Sequence, residues 1–327
     1  MLKKILAILI LPIFILSCGK KEIKKIEKNS FLFGTYISIT VYDEDEKLAK
    51  RAIELAFNEI ERLDNKFNSK VKGSLIDKLN SGEEKEIILD DEGKYIFQNL
   101  KSVYELSDEK YDITIGPLLD LWDFGSKAER AVPTTDQLDK AKSKVDFSKV
   151  ILDGNRLYYA DNGIEIDTGS FLKGYAIEKA KEVMVNEGIK SAFISSISSI
   201  ETINTKPEGK KWRIGIENPE NTQELLGVVE LDNQGMGVSG DYQTFIEIDG
   251  KKYHHILDKT DGYPIKDKKM VVVISNNAFF SDMYSTAFFM MPISKIIEFS
   301  EKNNLAVLVV DSSMKIYMSK DFNLLKK

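Results

Sequence analysis

Hydrophobic positions along this chain keep two periods, and the switches between them mark the elements. Residues 31–42 (FLFGTYISITVY) alternate aromatic and β-branched side chains with others, the period of two expected of a strand. Gly34-Thr35 interrupts that run, which predicts a bulge or a close backbone approach. Over residues 46–67 the spacing widens, and Leu48, Ile53, Ala56, Phe57, Ile60 and Leu63 fall on one helical face. Phe67-Asn68-Ser69 stops that helix. Residues 74–80 read as a short helix or turn. Residues 90–106 read as a second amphipathic helix, with Ile96, Leu100, Val103, Tyr104 and Leu106 on its apolar side. A capped helix follows over 133–142, then a hairpin over 150–159 that turns at Asp153-Gly154-Asn155.

The second half repeats the two patterns. A helix runs to about Glu187 and is capped by Gly188, and residues 192–200 (AFISSISSI) are strand-like. Residues 212–219 and 224–231 read as strands, and Asp249-Gly250 joins 244–248 to 252–257 as a hairpin. A buried strand over 270–275, a helix opening at Ser281, another over 293–304 and two strands over 305–317 complete the chain. Strand hairpins interspersed with amphipathic helices predict an α+β fold: one large domain of mixed or antiparallel sheets with helices packed outside.

Several segments carry candidate chemistry. Both histidines of the chain are adjacent, in Tyr253-His254-His255-Ile256-Leu257-Asp258. On a strand one would face a cleft and the other turn away. Asp258, at the head of the turn-forming Asp-Lys-Thr-Asp-Gly run, would then lie within reach of His255 and tune a base. An ordinary strand and turn with two surface histidines fits the same spacing. Gly116-Pro117 breaks a strand and starts a helix, and Trp122 and Phe124 downstream suit a core better than a ring-stacking platform. Asp167-Thr168-Gly169-Ser170 leads into a helix with Lys173 one turn in, an arrangement that can hold a phosphate without having P-loop spacing. Asp282 sits where a helix N-cap is expected, and with Thr286 one turn on it can present oxygens to a hard cation.

Composition narrows the setting. The formal net charge of -6 over 327 residues argues against a nucleic-acid surface. The single cysteine, Cys18, ends a basic and then apolar leader through Ile15-Leu16-Ser17, the layout of a secretory signal with a lipobox-like end. The apolar run is shorter than a membrane span requires. The expected organisation is a signal peptide over 1–17, an acylated Cys18, a flexible Lys-rich tether over 18–29 and a folded domain over 30–327, lipid-anchored on the extracytoplasmic side of a bacterial membrane.

Taken in order, Phe33-Gly34-Thr35, the run 111–118 (YDITIGPL), Lys173-Gly174-Tyr175-Ala176, Ser239-Gly240-Asp241-Tyr242, His255-Ile256-Leu257-Asp258, and Asp282 with Thr286 resemble the ApbE family of FAD:protein FMN transferases. The resemblance runs from about Phe31 to the C-terminus and implies a T-fold-like domain. It implies that FAD is the substrate, bound with Mg²⁺, and that FMN passes to a Ser or Thr hydroxyl of an exported or membrane redox protein, releasing AMP. By the same resemblance Asp282, Thr286 and a main-chain carbonyl near Ser170 hold the metal. His255 with Asp258, or Asp241 instead, assists deprotonation. Thr35, Tyr111, Thr114, Lys173, Tyr175, Ser239, Gly240 and His255 line the FAD site. The chain departs from the family at Ile197-Ser198-Ser199, where Gly-Gly-Asn/Asp is usual, and at Ser170-Phe171-Leu172. FAD binding without transfer, and hydrolysis of FAD to FMN and AMP, are the rival functions.

Overall fold

A computed structural model describes residues 22–125 and 131–326; the calls on the signal peptide and on Cys18 lie outside the described residues. The first elements are β1 (Lys24–Leu32) and β2 (Thr35–Asp43), an antiparallel hairpin rather than the single strand its alternation suggests. Phe33 and Gly34 make the turn with φ of 53° and 70°. Two such residues suit the twist of a tight hairpin. The interruption at Gly34 is therefore a reversal of the chain, not a bulge. Residues 24–29, expected in the tether, belong to β1 and pair with β2.

Next come α1 (Glu46–Phe67), α2 (Leu75–Asn80), β3 (Glu86–Ile88) and α3 (Asp91–Leu106). The caps Asp45, Ser74 and Asp90 each accept backbone N–H groups of the first turn, so these starts were encoded locally. Then follow α4 (Gly116–Trp122), α5 (Thr135–Lys142) with a capping box at Thr134 and Gln137, and the hairpin β4 (Val150–Asp153) and β5 (Arg156–Tyr159). After α6 (Leu172–Asn186), the expected strand over 192–200 divides at Ile197-Ser198 into β6 (Ala192–Ser195) and β7 (Ser199–Ile203). The ribbon β8 (Trp212–Asn218) and β9 (Asn221–Leu231) precedes β10 (Gly235–Gly240), a strand that its GMGVSG sequence does not announce. The chain ends with β11 (Phe245–Ile248), β12 (Lys251–His254), β13 (Lys268–Ser275), α7 (Ala278–Phe289), α8 (Ile293–Lys302), β14 (Ala306–Asp311) and β15 (Ile316–Met318).

One eight-stranded sheet organises the rest, in the order β1-β2-β6-β7-β10-β13-β14-β15. All its pairings are antiparallel. Alternation along β13 and β14 divides the core. Val271, Val273, Val307 and Val309 face the cluster holding Phe288 and Phe289 of α7. Met270, Val272, Leu308 and Val310 face Trp212, Ile216 and Val229 of the β8–β9 ribbon. The outer helices therefore cover one face and the ribbon covers the other. A separate cluster of Leu118, Trp122, Leu138, Tyr253 and Leu257 joins α4 and α5 to β12. Among the described residues no helix is long and apolar enough to cross a membrane.

Candidate functional site

A cavity of about 270 Å³ opens between α6, α7 and β10 on one side and residues 111–119 and 255–257 on the other. Close packing of the two helices builds its floor. A Cβ at Gly174 would lie 2.5 Å from the Ala278 carbonyl oxygen and 2.6 Å from Asp282 Cβ, so only glycine lets α6 settle on α7 there. Gly237 does the same between β10 and α7, where a Cβ would come within 2.3 Å of the Ser281 carbonyl oxygen. The Gly174 N–H thereby reaches Asp282 Oδ2 at 3.0 Å, and the Ser199 hydroxyl donates to Oδ1 at 3.0 Å.

Asp282 is buried inside α7; the helix is capped by Asn277, so the expected N-cap role is wrong. Burial pushes its carboxyl above the ordinary range, while the Lys173 ammonium, the Ser199 hydroxyl and the Gly174 amide pull the other way. Thr286, one turn further, shares the cavity wall, and its hydroxyl lies 3.1 Å from Ser239 Oγ. Ser170 precedes the Phe171 cap of α6, so its carbonyl lies outside the helical ladder, and the Gly174 N–H, a first-turn donor without a helical acceptor, goes to Asp282. The Ser170 side chain meets the Tyr111 hydroxyl at 2.9 Å. One carboxylate, one hydroxyl and one carbonyl is an all-oxygen donor set that fits Mg²⁺, which takes few protein ligands and retains water or phosphate. Among the described residues no three His, Cys, Asp or Glu side chains gather into a metal-binding group.

The histidines divide their work. His254 is buried, with Nε2 2.6 Å from the Ile265 carbonyl and Nδ1 accepting the Ile256 N–H, and its ring packs edge-on against Phe289. It is a core residue. His255 lines the cavity and places Nδ1 3.1 Å from the Thr244 carbonyl. A carbonyl only accepts, so Nδ1 carries the proton and Nε2 keeps its lone pair. Burial pushes the His255 imidazole down to about 4, with smaller contributions of the same sign from His254 and Lys173; it is neutral at pH 7. Lys173 also lines the cavity and donates to the Gly169 carbonyl at 3.0 Å.

Seven sequence candidates therefore share the cavity: Tyr111, Ser170, Lys173, Ser239, His255, Asp282 and Thr286. Six do not line it. Tyr175 is two positions from Lys173, which on a helix turns it to the opposite side; it is buried edge-on against Phe279. Thr114 is spent inside the fold, donating N–H and Oγ1 to Asp112 Oδ1. Asp258 is not the partner of His255: its carboxylate accepts the Thr260 N–H and shapes the turn. Asp241 lies by Lys269, 4.0 Å from its ammonium, and Gly240 packs beneath the Tyr242 ring, where a Cβ would come within 2.5 Å. Thr35 starts β2 with a buried hydroxyl that finds no partner among the described residues. Asp112 and Asp167, which the sequence offered only as members of longer runs, and Gln243 and Thr244, which it did not single out, also line the cavity. The departure at 197–199 proves to be part of the site: Ile197 is exposed, Ser198 lines the cavity and Ser199 holds Asp282.

Several known proteins are similar to this chain over most of its length. An FAD:protein FMN transferase of Haemophilus influenzae is 28% identical over 327 aligned residues, covering 95% of this chain and 94% of that protein. Its counterpart in Escherichia coli K12 is 29% identical over 226 residues, covering 66% of this chain and 64% of that protein. The crystal structure of the ApbE protein of Thermotoga maritima superposes with a TM-score of 0.84 at 27% identity, over 91% of this chain and 97% of that one. Pseudomonas stutzeri flavinyl transferase ApbE gives 0.77 at 25% identity, over 91% and 96%. The ApbE family model matches residues 33–309, a span that takes in every wall of the cavity, and the chain belongs to the ApbE family.

Proposed function

We propose that this protein is an FAD:protein FMN transferase, and one observation carries that reading: a neutral imidazole with an open Nε2 shares a cavity with a cation-suited oxygen set. The acceptor is a Ser or Thr hydroxyl of a protein. Its oxygen forms a bond to the phosphorus on the FMN side of the FAD pyrophosphate, the bond from that phosphorus to the bridging oxygen breaks, and AMP leaves. His255 Nε2 takes the hydroxyl proton, which then passes to the departing phosphate or to solvent. Lys173 offers an ammonium to the phosphate oxygens at the mouth of α6. Asp282, Thr286 and the Ser170 carbonyl would hold Mg²⁺, which when bound neutralises pyrophosphate oxygens.

We also propose that the protein works outside the cytoplasm, anchored by a lipid on Cys18, and serves an exported or membrane redox protein. The basic leader and the Leu16-Ser17-Cys18 end support this.

The test uses residues 22–327 with FAD, Mg²⁺ and a protein bearing an accessible Ser or Thr. Transfer gives a fluorescent acceptor band and one AMP per label. AMP without a labelled acceptor would make the protein an FAD hydrolase, and FAD retention without either product would make it a flavin binder.

A further inference from the structure

The hydroxyls beneath the cavity form a chain whose hydrogen-bond direction is fixed. Ser285 Oγ donates to the main-chain carbonyl of Asp282 at 2.9 Å, an i to i−3 bond within α7. That spends its one proton. Ser239 Oγ lies 2.9 Å from Ser285 Oγ, and the two must share a hydrogen, so Ser239 is the donor. Ser239 then has no proton left for its second neighbour, Thr286 Oγ1 at 3.1 Å, so Thr286 is the donor in that pair. The order is forced from Thr286 to Ser239 to Ser285 to the Asp282 carbonyl.

We infer that Ser239 and Ser285 are positioning residues that turn the Thr286 hydroxyl proton away from the cavity, so that Thr286 presents only lone pairs there. An unconstrained threonine hydroxyl rotates and offers its proton as readily as its oxygen; a proton directed at a cation site opposes binding. Ser285 and Ser239, the two middle members, are both buried, the latter 7% exposed, so water does not compete easily for the bond between them. The same polarity recurs at Asp282, where Ser199 and Gly174 both donate to the carboxylate. Outer partners of this kind fix the orientation of a ligand and set its affinity. Ser239 was expected to contact FAD; the chain gives it a second role, played through Thr286.

This inference rests on the metal reading above, and the experiment separates the two. Mn²⁺, which is paramagnetic and takes the same oxygen donors, is titrated into the FAD-free protein and free ion is counted by electron paramagnetic resonance. Ser239→Ala is expected to weaken Mn²⁺ binding by about 10–100-fold. Ser285→Ala should weaken it in the same direction, and Ser239→Thr should restore it to within about threefold. In a Thr286→Val background Ser239→Ala should change affinity by less than about twofold, because the group it orients is gone. Wild-type affinity in both serine variants, or an undiminished Ser239→Ala effect without Thr286, would overturn the inference and leave the metal site standing. No Mn²⁺ or Mg²⁺ binding by the wild-type protein would overturn the metal site and this inference together.

Discussion

The two walls of the cavity are built on opposite principles. The wall of α6, α7 and β10, with the start of β7 behind it, is made of small residues and directed hydrogen bonds: Gly174, Gly237, Ser199, Ser239 and Ser285 bring backbone close to backbone and hold Asp282 and Thr286 still. The facing wall, lined by Tyr111, Ile115, Leu119 and residues 255–257, is backed by aromatic rings. Trp122 packs against Phe124, Tyr253 and Tyr263, Phe124 meets His255 edge-on at 6.4 Å, and Trp122 Nε1 donates to the Gly262 carbonyl. Lys259 adds a charged tie: its ammonium reaches buried Asp112 at 2.8 Å and lies over the Tyr104 ring. In the proposed reaction, the oxygens that would hold the cation sit on the wall with no slack, and the proposed base, His255, sits on the wall backed by turns and rings. Charge neutralisation tolerates little displacement, whereas a base must meet an incoming chain.

Substitutions on each wall separate these roles. Asp282→Ala should abolish transfer, since it removes the carboxylate of the proposed cation-binding set; turnover with FAD and Mg²⁺ checks it, and retained activity would remove the wall's assigned role. His255→Gln should cost about 10²–10⁴-fold in rate while leaving FAD affinity near wild type, a split read from kcat and Kd. For the unaltered enzyme, the lowered His255 value keeps the base neutral well below the ordinary histidine value of about 6.5, so the acid limb of kcat/KM should fall toward pH 4. The neutral ring likewise supports the folded state above about pH 6.5 and loses that contribution as pH drops through the lowered value. Gly174→Ala forces a methyl against Ala278 and Asp282, and should destabilise by about 1–3 kcal/mol in thermal unfolding with loss of cation binding. Lys259→Met should cost less, about 1–2 kcal/mol, because Asp112 keeps the Thr114 and Phe147 amides as donors. Its loss should loosen the aromatic wall selectively, seen as faster amide exchange at residues 255–263 with the α7 amides unchanged.

Local signals explain which parts were legible in sequence. Helices α1 and α3 carried a helical period and α5 a capped start, whereas 74–80 read equally as helix or turn; in the structure Asp45, Ser74, Asp90 and Thr134 cap the four starts with local hydrogen bonds. The hairpin at Phe33-Gly34 was hidden because a turn of two residues barely disturbs alternation. β10 was hidden because Gly235 and Gly237 are present for the approach of α7, a tertiary demand that lowers strand propensity. Within the site, residue type and order located Asp282, Thr286, Lys173 and His255. Direction did not follow from order. Tyr175 failed by helical phase, and Asp258 and Thr114 failed because short polar side chains near turns satisfy backbone groups first. Ser199 appeared as a departure from a family pattern, and only the packing of β7 beside α7 reveals its bond to Asp282.

A sheet with two free margins invites strands from other molecules. Here β15 is three residues long, and β1 carries Lys24, Lys25, Glu27 and Lys28, two of them tied to Glu46 and Glu54 of α1. An intruding strand would have to break those ion pairs and strip water from the charges. Among the described residues, charge and short length on the two outer strands thus work against edge-to-edge addition of another strand.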